Sequence, residues 1–516
     1  MKIHGIALFA TLLLAINSIA QWSNDPANPL LISNTTNLQI NQQSRPDGSG
    51  GSYTFWMDSR ANSLKYEVYG QHIDQNGNDL WEEGGRLIIT DSKNIAFFSL
   101  YRYDDGKMII GWYAEAGGIA DPADKVWFQE LNDEGQKVWS SDLEIAHETP
   151  IGSLSAGYYN KATVKRDALG FQVCMMIQTY GYDRIRMSRF SEDGVLMAPM
   201  NGIEIGPLDF GNVEMTSDGG TGAYVYYSTG NGLGAALMCN HVNENGAPLW
   251  SNWVSAAGPG GLGYQFSAIG DSNGLTLLWI ENGNIYANRI SPLGAAVWTS
   301  IVNICTFAGN QSNFAWTKKG DNYFVTWADG RPGLIGFSGI YAQKFDISGN
   351  VLWTTDGVQV ANLNTYIPYP KILVDTEENV YISHQANANG YVVQKLDTNG
   401  NVQWDSDGNQ IAVSAYAPNY YEHQLFQSGL NMLSVWITPK AGGGTDGVYI
   451  SNFSQLPNPC PEDLNGDGFV NTVDLLLFIS FYGCSSGCTD GDLNGDTVVN
   501  TVDLLIFISA YGTICP

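Results

Sequence analysis

The run Tyr323-Phe-Val-Thr-Trp327-Ala-Asp329-Gly-Arg331, followed by Tyr341-Ala-Gln343-Lys-Phe-Asp346-Ile-Ser-Gly349-Asn-Val-Leu-Trp353, decides the fold. Through Ile340-Tyr-Ala-Gln-Lys-Phe-Asp the apolar and polar residues alternate with a period near two, which marks a strand rather than a helix. An Asx/Gly turn then leads to a tryptophan. The phrase recurs near the N-terminus as Tyr53-Thr-Phe-Trp56-Met-Asp58-Ser-Arg60 and Tyr69-Gly-Gln71-His-Ile-Asp74-Gln-Asn-Gly77-Asn-Asp-Leu-Trp81.

Between and beyond these copies the same beat continues. Gly77, Gly135, Gly194, Gly246, Gly294, Gly349 and Gly400 mark the turns; Trp81, Trp139, Trp250, Trp298, Trp353 and Trp404 trail them, and Met197 fills that slot once. The expected first-strand anchors are Trp56, Trp112, Met176, Tyr226, Trp279, Trp327, His384 and Trp436. Eight copies at a period of roughly 50–60 residues fit four short strands each, the blade of a β-propeller. Turns such as Asn76-Gly77 and Asn399-Gly400 supply the positive φ of a tight hairpin, so Asp74–Asp79 reads as a hairpin and not as a calcium loop.

The last copy shows two strands, near Met432–Ile437 and Val448–Phe453. The segment Leu30-Leu-Ile-Ser-Asn-Thr-Thr-Asn matches the third-strand sequence Leu87-Ile-Ile-Thr-Asp-Ser-Lys-Asn. An N-terminal half-blade joined to a C-terminal half-blade would close the ring and remove its exposed sheet edges. The count favours an all-β, eight-bladed propeller, with seven blades or two smaller domains as alternatives. The expected domains are a signal peptide over 1–20, the propeller over 21–455 and a small module over 456–516.

Composition agrees. Aromatic residues make up 12% and charged residues only 15% of 516, with 59 glycines, a balance of strands and tight turns. Lys2, the apolar run Ile6–Ile16 and Ser18-Ile19-Ala20 predict a secretory signal cleaved near Ala20, hence export. No later stretch is long and apolar enough to span a bilayer. The net charge of −27 argues against nucleic acid and anionic lipid as partners. Cys174, Cys239 and Cys305 read as buried thiols, whereas Cys460, Cys484, Cys488 and Cys515 cluster where a small exported module would use disulfides.

Two C-terminal segments are nearly identical: Asp463-Leu-Asn465-Gly-Asp467-Gly-Phe469-Val-Asn471-Thr-Val-Asp474 and Asp492-Leu-Asn494-Gly-Asp496-Thr-Val498-Val-Asn500-Thr-Val-Asp503, each leading into an apolar helix. Calcium takes six to eight oxygen ligands, and a twelve-residue loop wraps it with side chains at positions 1, 3, 5 and 12, a carbonyl at 7 and a water-linked group at 9. The expected ligands are therefore Asp463, Asn465, Asp467, Phe469 (carbonyl), Asn471 and Asp474, then Asp492, Asn494, Asp496, Val498 (carbonyl), Asn500 and Asp503. Thr497 stands at position 6 of the second loop, where the turn prefers Gly, so the second of the two Ca2+ sites is expected to be weaker. From Cys460 to Pro516 there are eight acidic residues and no Lys or Arg. The helices are apolar nearly all round, which predicts that they pack on each other or on the propeller.

Paired loop–helix units with Asp at position 12 resemble the type I dockerin. The resemblance implies docking to a cohesin through loop positions 10 and 11, here Thr472-Val473 and Thr501-Val502, presented on either of two equivalent faces. It also implies an association with secreted polysaccharide-degrading enzymes; the basic residues frequent in dockerin recognition helices are absent. Within a pseudo-twofold module the preferred cysteine pairing is Cys460–Cys515 with Cys484–Cys488. The propeller repeats resemble those of secreted proteins from Bacteroidetes-type bacteria, which implies no single activity.

His72, His147, His241, His384 and His423 are scattered, with His72 and His241 in second-strand slots, and no zinc-protease helix, nucleophile elbow or phosphate loop occurs. Asp58 with Arg60 and Asp329 with Arg331 recur at equivalent positions, as structural turn pairs would. The insertion Ala114–Lys125, with Glu115, Asp121 and Asp124, is where unrepeated carboxylates would build a hydrolase site. The expectation is a noncatalytic binding or adhesion protein that takes a glycan or protein on its propeller. The alternative is a dockerin-bearing glycoside hydrolase or polysaccharide lyase.

Overall fold

The computed structural model describes residues 22–23, 26–35, 37–62, 65–115, 125–146, 163–179, 182–197, 203–208, 213–229, 232–332, 338–363, 369–386, 390–404, 408–413, 423–438, 447–455, 462–464, 469–485, 491–494 and 498–513. Its strands form an eight-bladed β-propeller, followed by two short helices, α1 (Thr472–Phe481) and α2 (Thr501–Ala510). Among the described residues no helix is long and apolar enough to cross a membrane.

Each blade is an antiparallel meander. Blade 1 runs Gln39–Pro46, Ser52–Asn62, Lys65–Ile73 and Arg86–Ile89, and blade 6 runs Gln311–Lys319, Asn322–Asp329, Ser338–Asp346 and Val358–Leu363. The anchors Trp56 and Trp327 thus lie on second strands, and His72 and His241 on third strands, one place later than the sequence suggests. The strand overlooked is the innermost. In blade 1 its burial runs buried, partial, partial, buried, without clean alternation, because it is packed between neighbouring blades instead of having one wet face. Blades 4 and 5 share a continuous strand, Val254–Asp271, whose first half is the outer edge of one blade and whose second half is the inner edge of the next.

Closure follows the expected principle with a different division. Blade 8 takes three strands from the C-terminal end, His423–Ser428, Asn431–Thr438 and Gly447–Asn452, and one from the N-terminal end, Leu30–Asn34. Leu30 pairs with Ile450 and Leu31 with Tyr449. The seam to blade 1 is tied further by Asn431 Nδ2, which donates to the Gly50 carbonyl at 2.7 Å, and by Ser428 Oγ, which donates to Asp47 at 3.0 Å.

The tryptophan–glycine beat is the joint between blades. Trp81 of blade 1 donates its indole N–H to the Asp133 carbonyl of the blade 2 turn at 3.2 Å, and lies so close under Gly135 that a Cβ there would sit 2.8 Å from its ring. Trp250, Trp298 and Trp353 repeat the bond to Pro292, Ile347 and Thr398 at 2.9, 3.0 and 3.1 Å. Trp22, ahead of the first blade, makes it to Gln75 at 2.7 Å and so supplies the latch that closes blade 8 onto blade 1. The turns themselves are Asx turns: Asp74 accepts the Asn76 and Asn78 amides at 2.8 Å each, which accounts for its carboxylate without a metal.

Candidate functional site

In the C-terminal module each loop ends on an asparagine that caps a helix. Asn471 and Asn500 accept from the Val473 and Val502 amides at 2.8 and 2.7 Å, while Asp474 and Asp503 accept the Asn471 and Asn500 amides at 2.9 and 2.8 Å. These reciprocal capping boxes start α1 and α2. The two units then exchange strands of backbone. Val470 donates to the Thr513 carbonyl and accepts from Gly512, and Val499 donates to Cys484 and accepts from Gly483. Tyr482 Oη lies 2.9 Å from Thr501 Oγ1, and Tyr511 Oη 2.8 Å from Thr472 Oγ1. Phe478 and Phe507 stack at 5.3 Å over Val470 and Val499. Each of these backbone and hydroxyl contacts has its pseudo-twofold mate.

Asp474 and Asp503 are fully buried and Asp463 is 7% exposed, in a segment without a basic side chain. Asp503 takes amide hydrogens from Leu493, Asn494 and Asn500, which folds the start of its loop back onto position 12. Buried carboxylates are costly, and a hard cation is a group that relieves them. The side-chain donors described, Asp463, Asp474, Asp492 and Asp503, are oxygen donors of the kind calcium takes. Asn471 and Asn500 have their Oδ1 atoms occupied by capping, consistent with a water-linked role at position 9. Asn465, Asp467, Asp496 and Thr497 lie outside the described residues, and among those described no three His, Cys, Asp or Glu side chains converge. Cys460, Cys488 and Cys515 also lie outside them.

The helices pack on each other through Phe478 and Phe507, as expected, but leave part of their apolar surface uncovered. Only Asp474 and Phe478 of α1, and Asp503 and Phe507 of α2, are buried. Leu476 and Leu505 are 65% and 64% exposed, and Val473, Ile479, Tyr482 and their mates Val502, Ile508, Tyr511 are exposed with them. Each helix therefore shows a stripe at i, i+3, i+6 and i+9. Thr472 and Thr501, beside the stripes, are exposed as well.

On the propeller the repeated acids are structural. Asp58 is fully buried and accepts Arg60 Nη2 at 2.7 Å, the Arg60 amide at 2.7 Å and the Trp56 indole at 3.1 Å; Asp329 holds Arg331 and Trp327 in the same way. The Asp121 and Asp124 insertion lies outside the described residues. A serine–histidine contact without any linear signature joins blades 7 and 8, where Ser383 Oγ lies 3.0 Å from His423 Nε2 and receives the Tyr391 hydroxyl at 3.0 Å. All three residues are buried. Burial, with Lys371 and His384 nearby, pushes His423 well below its ordinary pKa. The arrangement is a buried hydrogen-bond chain. Burial likewise pushes the Cys239 and Cys305 thiols up to about 12, so they are inert at neutral pH.

No family model and no curated protein matches the chain. Solved structures do. A puromycin hydrolase aligns over 82% of this chain at 14% identity and a TM-score of 0.43. Prolyl oligopeptidase B from Galerina marginata aligns over 78% at 9% and 0.44, and a polysaccharide lyase over 74% at 11% and 0.38. The chain spans 62% of the puromycin hydrolase and 56% of the oligopeptidase. At such similarity the blade count rests on the strand pairing of this chain itself.

Proposed function

We propose that the chain is an exported, noncatalytic binding or adhesion protein whose propeller holds a ligand and whose C-terminal module, ordered by two calcium ions, docks it to a protein partner. The observation that carries this reading is the module's symmetry: two loop–helix units, each with a buried position-12 carboxylate and an exposed apolar stripe. Paired loop–helix units with Asp at position 12 are what carries the resemblance to a type I dockerin, and that resemblance makes a cohesin-like partner the first to test. Because the module carries eight acidic residues and no basic ones, the partner's docking face should be apolar at its centre and rimmed by Lys or Arg. The Cys460–Cys515 and Cys484–Cys488 pairing would hold the two units in register, as an exported protein permits.

The test is calcium titration of the chelator-treated full chain by calorimetry, with far-UV circular dichroism alongside. Two binding events, the weaker assigned to the Asp492–Asp503 loop, with a gain of helix, are the expected result. Absence of calcium binding would remove the docking reading and leave the propeller.

A further inference from the structure

The innermost strand of blade 1 carries a cation that no carboxylate meets. Elsewhere on the propeller Arg60, Arg166 and Arg331 sit against Asp58, Glu192 and Asp329 at 2.7 Å each. Arg45, on Gln39–Pro46, makes one hydrogen bond, from Nη1 to the Ser44 carbonyl at 2.8 Å. Among the described residues its Nε and Nη2 have no partner and no acid pairs with it. Asp47 stands two residues away but is already engaged. It meets His72 at 3.2 Å and Ser428 at 3.0 Å, and accepts the Ser49 and Gly51 amides at 2.7 and 2.8 Å.

Arg45 is also partly withdrawn from water. Burial lowers its pKa, and the groups that oppose this are two phenols, Tyr101 and Tyr103. Burial raises the pKa of both, so at neutral pH they are uncharged and cancel none of the guanidinium charge. Tyr103 Oη is itself buried with no hydrogen-bond partner. Lys371, on the innermost strand of blade 7, is a parallel case: among the described residues it has no ion pair, and burial lowers its pKa. A lysine can relieve such burial by releasing a proton; a guanidinium cannot. Glu214, an inner-strand carboxylate, belongs to blade 4, three blades away.

A desolvated group that stays charged is costly until an opposite charge reaches it. The open side of the guanidinium, Nε with Nη2, presents two parallel N–H groups, the geometry that holds two oxygens of one oxyanion. One guanidinium balances one negative charge. A phosphate dianion would be left half-compensated, and a neutral polyol would leave the cation unanswered. We propose that Arg45 anchors a site on the inner wall of the propeller for a singly charged oxyanion, as carried by a carboxylate or a sulfate ester. The proposal rests on the reading of the propeller as a binding domain and is independent of the C-terminal module.

The experiment uses the full chain, with glucuronate and glucose 6-sulfate as singly charged probes and glucose as the neutral control, read by calorimetry. Sugars serve because a glycan is one of the ligands expected of the propeller. At least one of the two acids should bind saturably and glucose about tenfold more weakly or worse, and the tighter acid identifies the source of the charge. Arg45→Gln should weaken that acid about tenfold, and Arg45→Lys, which keeps the charge but not the fork, about fivefold. Thermal midpoints of both variants separate lost binding from lost fold, and the comparison of acids with glucose on the parent stands if neither variant folds. Equal binding of glucose and the acids, or an unchanged affinity in Arg45→Gln, overturns the site while the propeller remains a binding domain. Absence of binding by all three overturns the site, and with it the reading of the propeller as a sugar-binding domain.

Discussion

The joint between blades makes a quantitative prediction at Gly135. Its φ is +69°, and a Cβ placed on it would lie 2.8 Å from Trp81 Cη2 and 3.0 Å from Ile88 Cδ1. Gly135→Ala therefore meets two separable costs. The left-handed backbone costs an L-residue about 1 kcal/mol, and overpacking a seated ring costs ~1–3 kcal/mol, so about 2–4 kcal/mol in all. Gly320 isolates the first cost, since its φ is +55° and nothing lies within 4 Å of a built Cβ. Gly320→Ala should cost about 1 kcal/mol. Trp81→Leu destabilises the chain by itself, but in that background the ring is gone and Gly135→Ala should fall towards the Gly320 value, keeping what the Ile88 contact adds. Urea unfolding of the four variants and the parent, followed by fluorescence, closes the cycle. Equal costs at Gly135 and Gly320, or strict additivity of Gly135→Ala with Trp81→Leu, would show that the indole does not seat against that turn.

Three further outcomes follow from the same structure. Asp329→Ala leaves Arg331 and the Trp327 indole without their buried acceptor and should cost about 3 kcal/mol in urea unfolding, with much of the loss recovered in Asp329→Ala/Arg331→Met. Asp47 is pulled up by burial, but hydrogen bonds from His72, the Ser49 and Gly51 amides and Ser428 outweigh this and hold it at about 2, below its ordinary 3.8. A lowered folded-state pKa gives stability that is fully present above 3.8 and fades as the pH falls towards 2. The stability gap between the parent and Asp47→Asn should accordingly be wide at pH 5 and shrink below pH 3.8, and a gap constant with pH would refute it. On the calcium proposal, Thr497→Gly should strengthen the second site about fivefold, since Gly adopts the turn preferred at position 6 at a cost about 1 kcal/mol lower, as read by calorimetry.

What was legible in the sequence is what repeats for a local reason. The Trp–Gly beat marks the blades because six of the seven turn glycines lie on an indole from the preceding turn of the ring, Gly246 on Met187 being the exception. The innermost strands are hidden for the converse reason: packed on both sides, they show no period of two, so the sequence pattern places Trp56 and Trp327 on first strands where the structure has them on second strands. The division of blade 8 into three strands and one escaped because His423–Ser428 is such a strand, mostly only partly buried. The isolation of Arg45 had no linear signal at all. Asp47 stands two residues on, and only the fold shows that its carboxylate serves His72 and Ser428 instead.

The distribution of charge explains why a partner should be sought at the module and not across the whole surface. On the propeller, cations sit beside carboxylates within or between blades: Lys107 bridges Glu130 and Glu192, Lys318 and Arg289 share Asp271, and Arg189 meets Asp167. Those pairs lower the field that any one face presents. The module has no such neutralisation, for its eight acidic residues have no basic neighbour in the segment. Two calcium ions would cancel four of those charges and leave a residual negative field around two apolar stripes. A surface of that kind repels copies of itself while remaining attractive to a basic-rimmed apolar patch. Leu476 and Leu505 can thus stay exposed in an acidic protein without driving self-association, and removal of the calcium should increase that repulsion while loosening the helices that carry the stripes.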